Sequence, residues 1–310
     1  MLSTGAGSGM SETGTIASGA MGDTRLSVVI ATLGGPTLGP TIDILNSGTV
    51  VPAEILICIP QVESYRVRQI SAPNVKVVVT QVRGQVAQRA EGFRQAVSML
   101  VMQMDDDMHL APDCLERLIE TLRKYGPRCA VAPAFYLMGT SRSVYHAPAD
   151  PTWMVRAYYW LMNGAAGYQG GDVDRACGAM GVDPQRELAG LRVKKVSWLP
   201  GGCVLSAKED LFCDAFFPFP GKAYCEDIIH SHHRSVRGTA MYVDITARCD
   251  IEVVYAVSKD LRSYFRELQG DGRARYYYAR LTGRSALRLT NYYLVTVVIQ
   301  IARRMVAVWR

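Results

Sequence analysis

Residues 101–110 read VMQMDDDMHL. An apolar run stops abruptly in three consecutive aspartates. Like charges side by side repel, and a chain that needed only solubility would mix its signs. The apolar part, VMQM (101–104), reads as a buried strand, so the carboxylates stand at a strand's carboxyl end.

The same pattern recurs on either side. LSVVIAT (26–32), EILICI (54–59), NVKVVVT (74–80) and CAVAPAF (129–135) are further apolar, mostly β-branched runs of strand length. Helical stretches lie between them. An apolar patch near 41–45 suggests one. RGQVAQRAEGFRQAVSML (83–100) sets Val86, Ala90, Phe93, Val97 and Leu100 on one helical stripe. Leu115, Leu118, Ile119 and Leu122 mark the next. Alternating strands and helices predict an α/β fold, a mostly parallel central sheet flanked by helices. Such sheets bind ligands beyond the carboxyl ends of their strands, which puts the three aspartates on the binding edge.

At 310 residues and 49% hydrophobic, the chain can bury a large core. Residues 1–24 are rich in Gly, Ser and Thr with little to bury, and are expected to form a disordered tail. They lack the apolar core of a signal peptide. Eight cysteines form no C-x-x-C pair and read as small core residues of a reducing, cytoplasmic setting. The net charge of +6 is uneven: from Arg262 onward ten arginines face only Glu267 and Asp271, a net of +8. The expected division is the tail, a main domain over 25–250 and a basic helical extension over 251–310.

Adjacent carboxylates become tolerable when a divalent cation neutralises them. Mg²⁺ and Mn²⁺ take Asp and Glu oxygens and keep waters and a diphosphate in the shell. D-x-D spacing lets Asp105 and Asp107 converge on one ion or on a ribose hydroxyl. A solvated acidic turn is the bland alternative, and the strand-end position favours the ligand site.

A second cluster is YCEDIIHSHHR (224–234). On a helix starting near Glu226, Glu226, His230 and His233 share a face, with Asp227 at its rim. A helix start attracts carboxylates for its dipole alone, and the histidines are as readily packed as functional. Upstream, WLPGGCVLSAKE (198–209) gives a Gly-Gly turn, at Gly201 and Gly202, where backbone can approach a ligand closely.

This ordered set resembles the family 2 glycosyltransferases of the GT-A fold over about residues 25–245. The resemblance rests on the S-V-V-I-x-T strand, a strand with an acidic start, R-G-x-x-x-x-R, D-D-D, Gly-Gly, and E-D ahead of R-G. It implies a metal-dependent, inverting transfer of a sugar from a nucleotide-diphosphate sugar to a saccharide or lipid-linked acceptor, in surface polysaccharide or glycolipid assembly. It further implies donor contacts from Thr32, Arg83, Arg89, Asp105 and Asp106, and an acceptor-side turn at Gly201–Gly202. The metal, Mg²⁺ or Mn²⁺, would sit on Asp107 and Asp105. Asp227 is implied as the catalytic base, with Glu226 beside it. The chain departs from the family twice. Ile59 and Pro60 stand where two aspartates are common, and His233 where an arginine is common, which makes His233 a further candidate metal ligand.

Two other classes compete. A nucleotidyltransferase would need cations in the first strand–helix loop, and residues 31–48 contain no Lys or Arg. A non-enzymatic module binding membrane or nucleic acid is suggested by the arginine-rich end. There, LTNYYLVTVVIQIA (289–302) is too short to span a bilayer and suits an interfacial helix over 285–310 or one packed on the core. No nucleic-acid partner is expected. Trp153, Tyr158, Tyr159 and Trp160 suit either sugar stacking or a subdomain core.

Overall fold

The computed structural model describes residues 25–147, 150–187, 190–252 and 261–308. The expected disordered tail, 1–24, lies outside the described residues. The strands are β1 (Leu26–Ala31), β2 (Glu54–Pro60), β3 (Val75–Thr80), β4 (Leu100–Met104), β5 (Met108–Leu110), β6 (Cys129–Leu137), β7 (Val193–Val196), β8 (Cys203–Ala207) and β9 (Ala240–Ile251). The helices are α1 (Leu38–Ser47), α2 (Gln85–Gln95), α3 (Cys114–Tyr125), α4 (Trp153–Asn163), α5 (Glu226–Val236), α6 (Leu261–Thr282) and α7 (Ala286–Val308).

All nine strands join one sheet in the order β3-β2-β1-β4-β8-β6-β9-β5, with β7 also on β9. The first four pair in parallel, with β1 central to β2 and β4. β1, β2 and β4 are buried almost throughout, which is why they read as unbroken apolar runs.

The sheet's second half is mixed. β8, fed by the Gly-Gly turn, runs antiparallel between β4 and β6. It therefore enters the sheet from the edge where β4 leaves it. The Asp105 amide donates to the Gly202 carbonyl at 2.9 Å, which locks the two edges together.

The helix expected over 83–100 is shorter. It ends at Gln95, Val97 is 69% exposed, and Leu100 already belongs to β4. A buried carboxylate causes the break. Glu54 accepts from Ser27 Oγ at 2.5 Å and from the Val97 amide at 2.7 Å, and the Ser98 amide donates to Ser27 Oγ at 3.0 Å. These bonds turn the chain out of the helix and into β4.

α2 lies against β1 and β2 through Gly92. A methyl group there would fall 2.5 Å from Cys58 Sγ and also strike Val29.

The C-terminal helices are docked on the core rather than trailing from it. Tyr278 and Ala279 of α6 and Leu289 of α7 are buried with Ile228 and Ile229 of α5 and with Trp198. α7 turns its other face outward, exposing Leu287, Leu294, Val298 and Ile301. Among the described residues no helix is long and apolar enough to cross a membrane.

The close approach at Gly92 has a measurable consequence. Gly92→Val overpacks the α2–sheet contact and should cost about 2–3 kcal/mol, read as a lower urea midpoint at unchanged slope. An unchanged midpoint would show that the contact yields freely.

Candidate active site

The carboxyl ends of β1 and β4 form one rim. Thr32 follows β1 and donates its hydroxyl to Asp106, while the Gly34 amide donates to the Thr32 oxygen at 2.8 Å. Thr41 of α1 donates to the Asp106 carbonyl at 2.9 Å. The first strand–helix loop thus holds the aspartate turn in place.

The three aspartates are not equivalent. Asp105 Oδ1 accepts from Arg89 at 2.5 Å and from Gln85 Nε2 at 2.8 Å. Asp106 is held by Thr32. Asp107 is exposed and forms no ion pair among the described residues. Burial, then the charge of Asp105, pushes the Asp106 carboxyl above its ordinary range, against the Thr32 hydrogen bond. Although Asp107 reaches solvent, partial desolvation by the surrounding rim, then the charges of Asp105 and Asp106, raises it likewise. A cation at this rim would relieve that repulsion, so the donor set fits a divalent metal. Among the described residues no group of three or more His, Cys, Asp or Glu side chains forms a metal cage. Mg²⁺ or Mn²⁺ does not require one, since a carboxylate or two with waters and substrate phosphates suffices.

Arg89 corrects its sequence assignment. It is 3% exposed and does not reach donor space; its guanidinium is spent on Asp105 and on Glu226 of α5. Burial opposes the charge, but Glu226 and Asp105 outweigh it and hold the arginine pKa above its ordinary value. Asp105, with one oxygen so engaged, is a structural partner first and a poor candidate for the metal.

Two glycines make this junction possible. A Cβ on Gly201 would lie 2.7 Å from Glu226 Oε1, and one on Gly202 3.3 Å from Asp105 Oδ2. Gln103 also donates to the Gly201 carbonyl at 2.5 Å. A side chain on Gly201 would press on the Glu226 oxygen that holds Arg89, and one on Gly202 would crowd Asp105.

α5 begins at Glu226, after Cys225 turns the chain at φ 51°. Asp227 Oδ1 accepts from the Ile228 amide at 2.9 Å. Burial, then the neighbouring Glu226 charge, raises the Asp227 carboxyl to about 7. A carboxylate that titrates near neutrality is suited to accept a proton.

The expected metal ligand His233 is elsewhere. Its ring packs 5.6 Å from Phe212 and 5.7 Å from Phe216. His230 sits in the same aromatic cluster, and burial holds it well below its ordinary pKa. The buried cation of this helix is the next residue, Arg234, which donates to Ser206 Oγ at 2.8 Å.

Two clefts meet at this rim. One, of about 830 Å³, is lined by Thr32, Asp106, Arg66, Arg83 and Lys222. The other, of about 300 Å³, is lined by Asp105, Gly201, Gly202, Glu226, Asp227 and Tyr145. Gln85 and Ala223 line both, so the clefts are continuous. Arg66 and Lys222 were not legible in advance, because a 3-10 turn and a distant loop deliver them. Trp153, Tyr158, Tyr159 and Trp160 line neither cleft. Ile59 and Pro60 are buried at the end of β2, so no acid replaces the missing pair there.

The family model described as glycosyl transferase family 2 matches residues 61–174, a stretch holding Arg83, Arg89 and the three aspartates. The chain contains a family 2 glycosyltransferase domain. Its fold agrees. A solved structure described as GalNAc-T7 with UDP, GalNAc and Mn²⁺ superimposes with a TM-score of 0.53 at 17% identity, over 86% of this chain. The chain spans 52% of that structure's length, and at this identity the likeness speaks for the GT-A fold. No curated protein matches the chain.

Within this glycosyltransferase domain, Arg89 is the residue whose loss should be felt most widely. Arg89→Met leaves buried Glu226 and part-buried Asp105 without their cation and should cost about 3–5 kcal/mol in denaturant unfolding. Adding Glu226→Gln should recover part of that loss. Equal stability of Arg89→Met and the parent would refute the buried clamp.

Proposed function

We propose that this domain moves a sugar from a nucleotide-diphosphate donor to an acceptor hydroxyl by single displacement, with inversion at the sugar carbon. One observation carries the proposal. A cleft walled by Arg66, Arg83 and Lys222 runs directly into a second cleft that holds Asp227. The first has the size for a nucleoside diphosphate and presents three cations, of which Arg66 and Arg83 share Glu63 at 3.0 and 3.9 Å and Lys222 forms no ion pair among the described residues. The second presents a carboxylate poised near pH 7.

The residues divide the work. Arg83, Arg66 and Lys222 draw the diphosphate, and Thr32 and Asp106 shape the floor on which the nucleotide rests. Asp227 takes the proton as the acceptor oxygen bonds to the anomeric carbon and the diphosphate oxygen departs with its electron pair. Glu226, neutralised by Arg89, fixes the start of α5 and so aims Asp227. Only one free carboxylate is required on the acceptor side, because no water attacks and no covalent glycosyl intermediate forms. Asp107 would hold Mg²⁺ or Mn²⁺, which when bound supplies charge stabilisation for the departing diphosphate.

The acceptor is a saccharide or lipid-linked saccharide of surface polysaccharide or glycolipid assembly. The outward stripe of Leu287, Leu294, Val298 and Ile301 on α7, within an arginine-rich extension, supports a peripheral position at the inner face of a membrane.

A paired variant experiment tests the assignments. Asp227→Asn should lower transfer about 10²-fold or more while nucleotide affinity with Mn²⁺ persists. In the parent, transfer should fall about tenfold per pH unit below about 7, where Asp227 is protonated, and the variant should lose that slope. Asp107→Ala should do the reverse, abolishing Mn²⁺-dependent nucleotide binding in calorimetry. Near-normal transfer by Asp227→Asn would reduce the Glu-Asp pair to a helix start. Unchanged Mn²⁺–nucleotide affinity in Asp107→Ala would remove the metal role.

A further inference from the structure

A third cavity, of about 740 Å³, is lined by residues distinct from those of the two clefts and lies between α6, α7 and the loop that precedes α5. Its size falls in the range of small-molecule sites. Phe219, Phe265, Leu268 and Tyr277 make apolar walls. Gly272 lies in the lining, where a Cβ would just touch the Tyr293 ring at 3.7 Å. The absent side chain leaves the groove open between the helices.

Two arginines, Arg273 and Arg280, line the groove two helical turns apart on one face of α6. Both are exposed, and neither forms an ion pair among the described residues. Arg275 shows the contrast: it is paired with Asp271 at 3.0 Å and donates to the Cys177 carbonyl at 3.0 Å. Arg275 supports the fold, whereas Arg273 and Arg280 present cations beside an apolar channel. That combination matches an amphiphile with a hydrocarbon chain and an anionic head.

One loop runs from the groove to the catalytic clefts. Tyr277 meets Phe219 edge-on at 5.7 Å, and Phe219 meets Phe217 at 5.5 Å. From Phe219 the chain passes directly to Gly221 and Lys222 in the donor cleft and Ala223 in both clefts. Four residues span at most about 14 Å. The loop is also fixed to α6 beyond this point: Tyr224 covers Gly270, where a Cβ would fall 2.5 Å from its ring, and Cys225 Sγ lies 3.1 Å from Asp271.

We propose that this groove binds the hydrocarbon chain of a lipid-phosphate-linked saccharide acceptor, with Arg273 and Arg280 on the phosphate and the saccharide directed towards Asp227. The inference rests on the glycosyl-transfer reading and names its acceptor. In the transfer the saccharide hydroxyl oxygen bonds to the anomeric carbon, its proton passes to Asp227, and the nucleoside diphosphate leaves with the bonding electrons. The lipid phosphate is bound and is not itself consumed.

Calorimetry on the full chain with monomeric dodecyl phosphate, decyl phosphate, dodecanol and inorganic phosphate tests this, beside a Mn²⁺–nucleotide titration. Dodecyl phosphate should bind saturably, about fifteenfold tighter than decyl phosphate, because each of its two extra buried methylenes contributes roughly fourfold in affinity. Inorganic phosphate alone should not register. Arg273→Gln with Arg280→Gln should weaken dodecyl phosphate at least tenfold and leave dodecanol unchanged. Gly272→Leu, which fills the groove, should abolish both, and all these variants should keep Mn²⁺–nucleotide binding. Dodecyl phosphate binding that ignores the arginines and Gly272 would overturn the proposal. So would binding to anionic vesicles but not to monomeric dodecyl phosphate, or a dimer that Gly272→Leu dissociates without altering dodecyl phosphate affinity. Absent Mn²⁺–nucleotide binding in the parent would instead overturn the transferase reading beneath it.

Discussion

The site is organised around one buried cation. Arg89 lies inside the domain between Asp105, at the end of β4, and Glu226, at the start of α5. Glu226 could not stay there alone, since an uncompensated buried charge costs several kcal/mol, whereas Asp105 is partly exposed and also accepts from Gln85. The arginine binds together segments 121 residues apart in the chain, the strand that ends on the donor side and the helix that opens the acceptor side. Gly201 and Gly202 follow from the same constraint, because side chains there would crowd Glu226 and Asp105. The antiparallel entry of β8 follows as well, since it carries those glycines to the rim.

The clamp also explains how neighbouring carboxylates come to differ. Glu226 is held by the guanidinium. Asp227 forms no ion pair among the described residues, and burial with the adjacent negative charge lifts it to about 7 against the weaker pull of Arg275. Environment, not residue type, separates the positioning acid from the base. On the other side of the clamp the same logic sorts the aspartates. Asp105 is committed to Arg89, Asp106 to Thr32, and Asp107 is left facing outward.

The N-terminal half of the sheet was legible because β1, β2 and β4 are buried on both faces and show as unbroken apolar runs. The strand-end aspartates were legible because parallel sheets place ligands there. What stayed hidden depended on long-range contacts. Val97 and Leu100 continue a helical stripe, and only the buried Glu54 ends the helix before them. The antiparallel sense of β8 has no periodic signature. His233 shares a helical face with Glu226, yet Phe212 and Phe216, from another segment, claim its ring. Arg89 read as a donor contact because its motif begins a helix beside the donor cleft, and its burial becomes visible only when α5 is in place. Arg66 and Lys222 come from unrelated loops, with no local pattern to announce them.

The account requires that a single unneutralised carboxylate serve the acceptor side, with Glu226 removed from the chemistry by Arg89. On the proposed reading such a site has one base and no nucleophile, and the displacement would proceed in one step. The anomeric configuration of the first-formed product, read by proton NMR before mutarotation or with a fixed acceptor, tests this most directly. The account predicts configuration opposite to that of the donor sugar. Retained configuration would mean a second participating group or attack on the face the diphosphate leaves, and either would contradict the roles given to Arg89, Glu226 and Asp227.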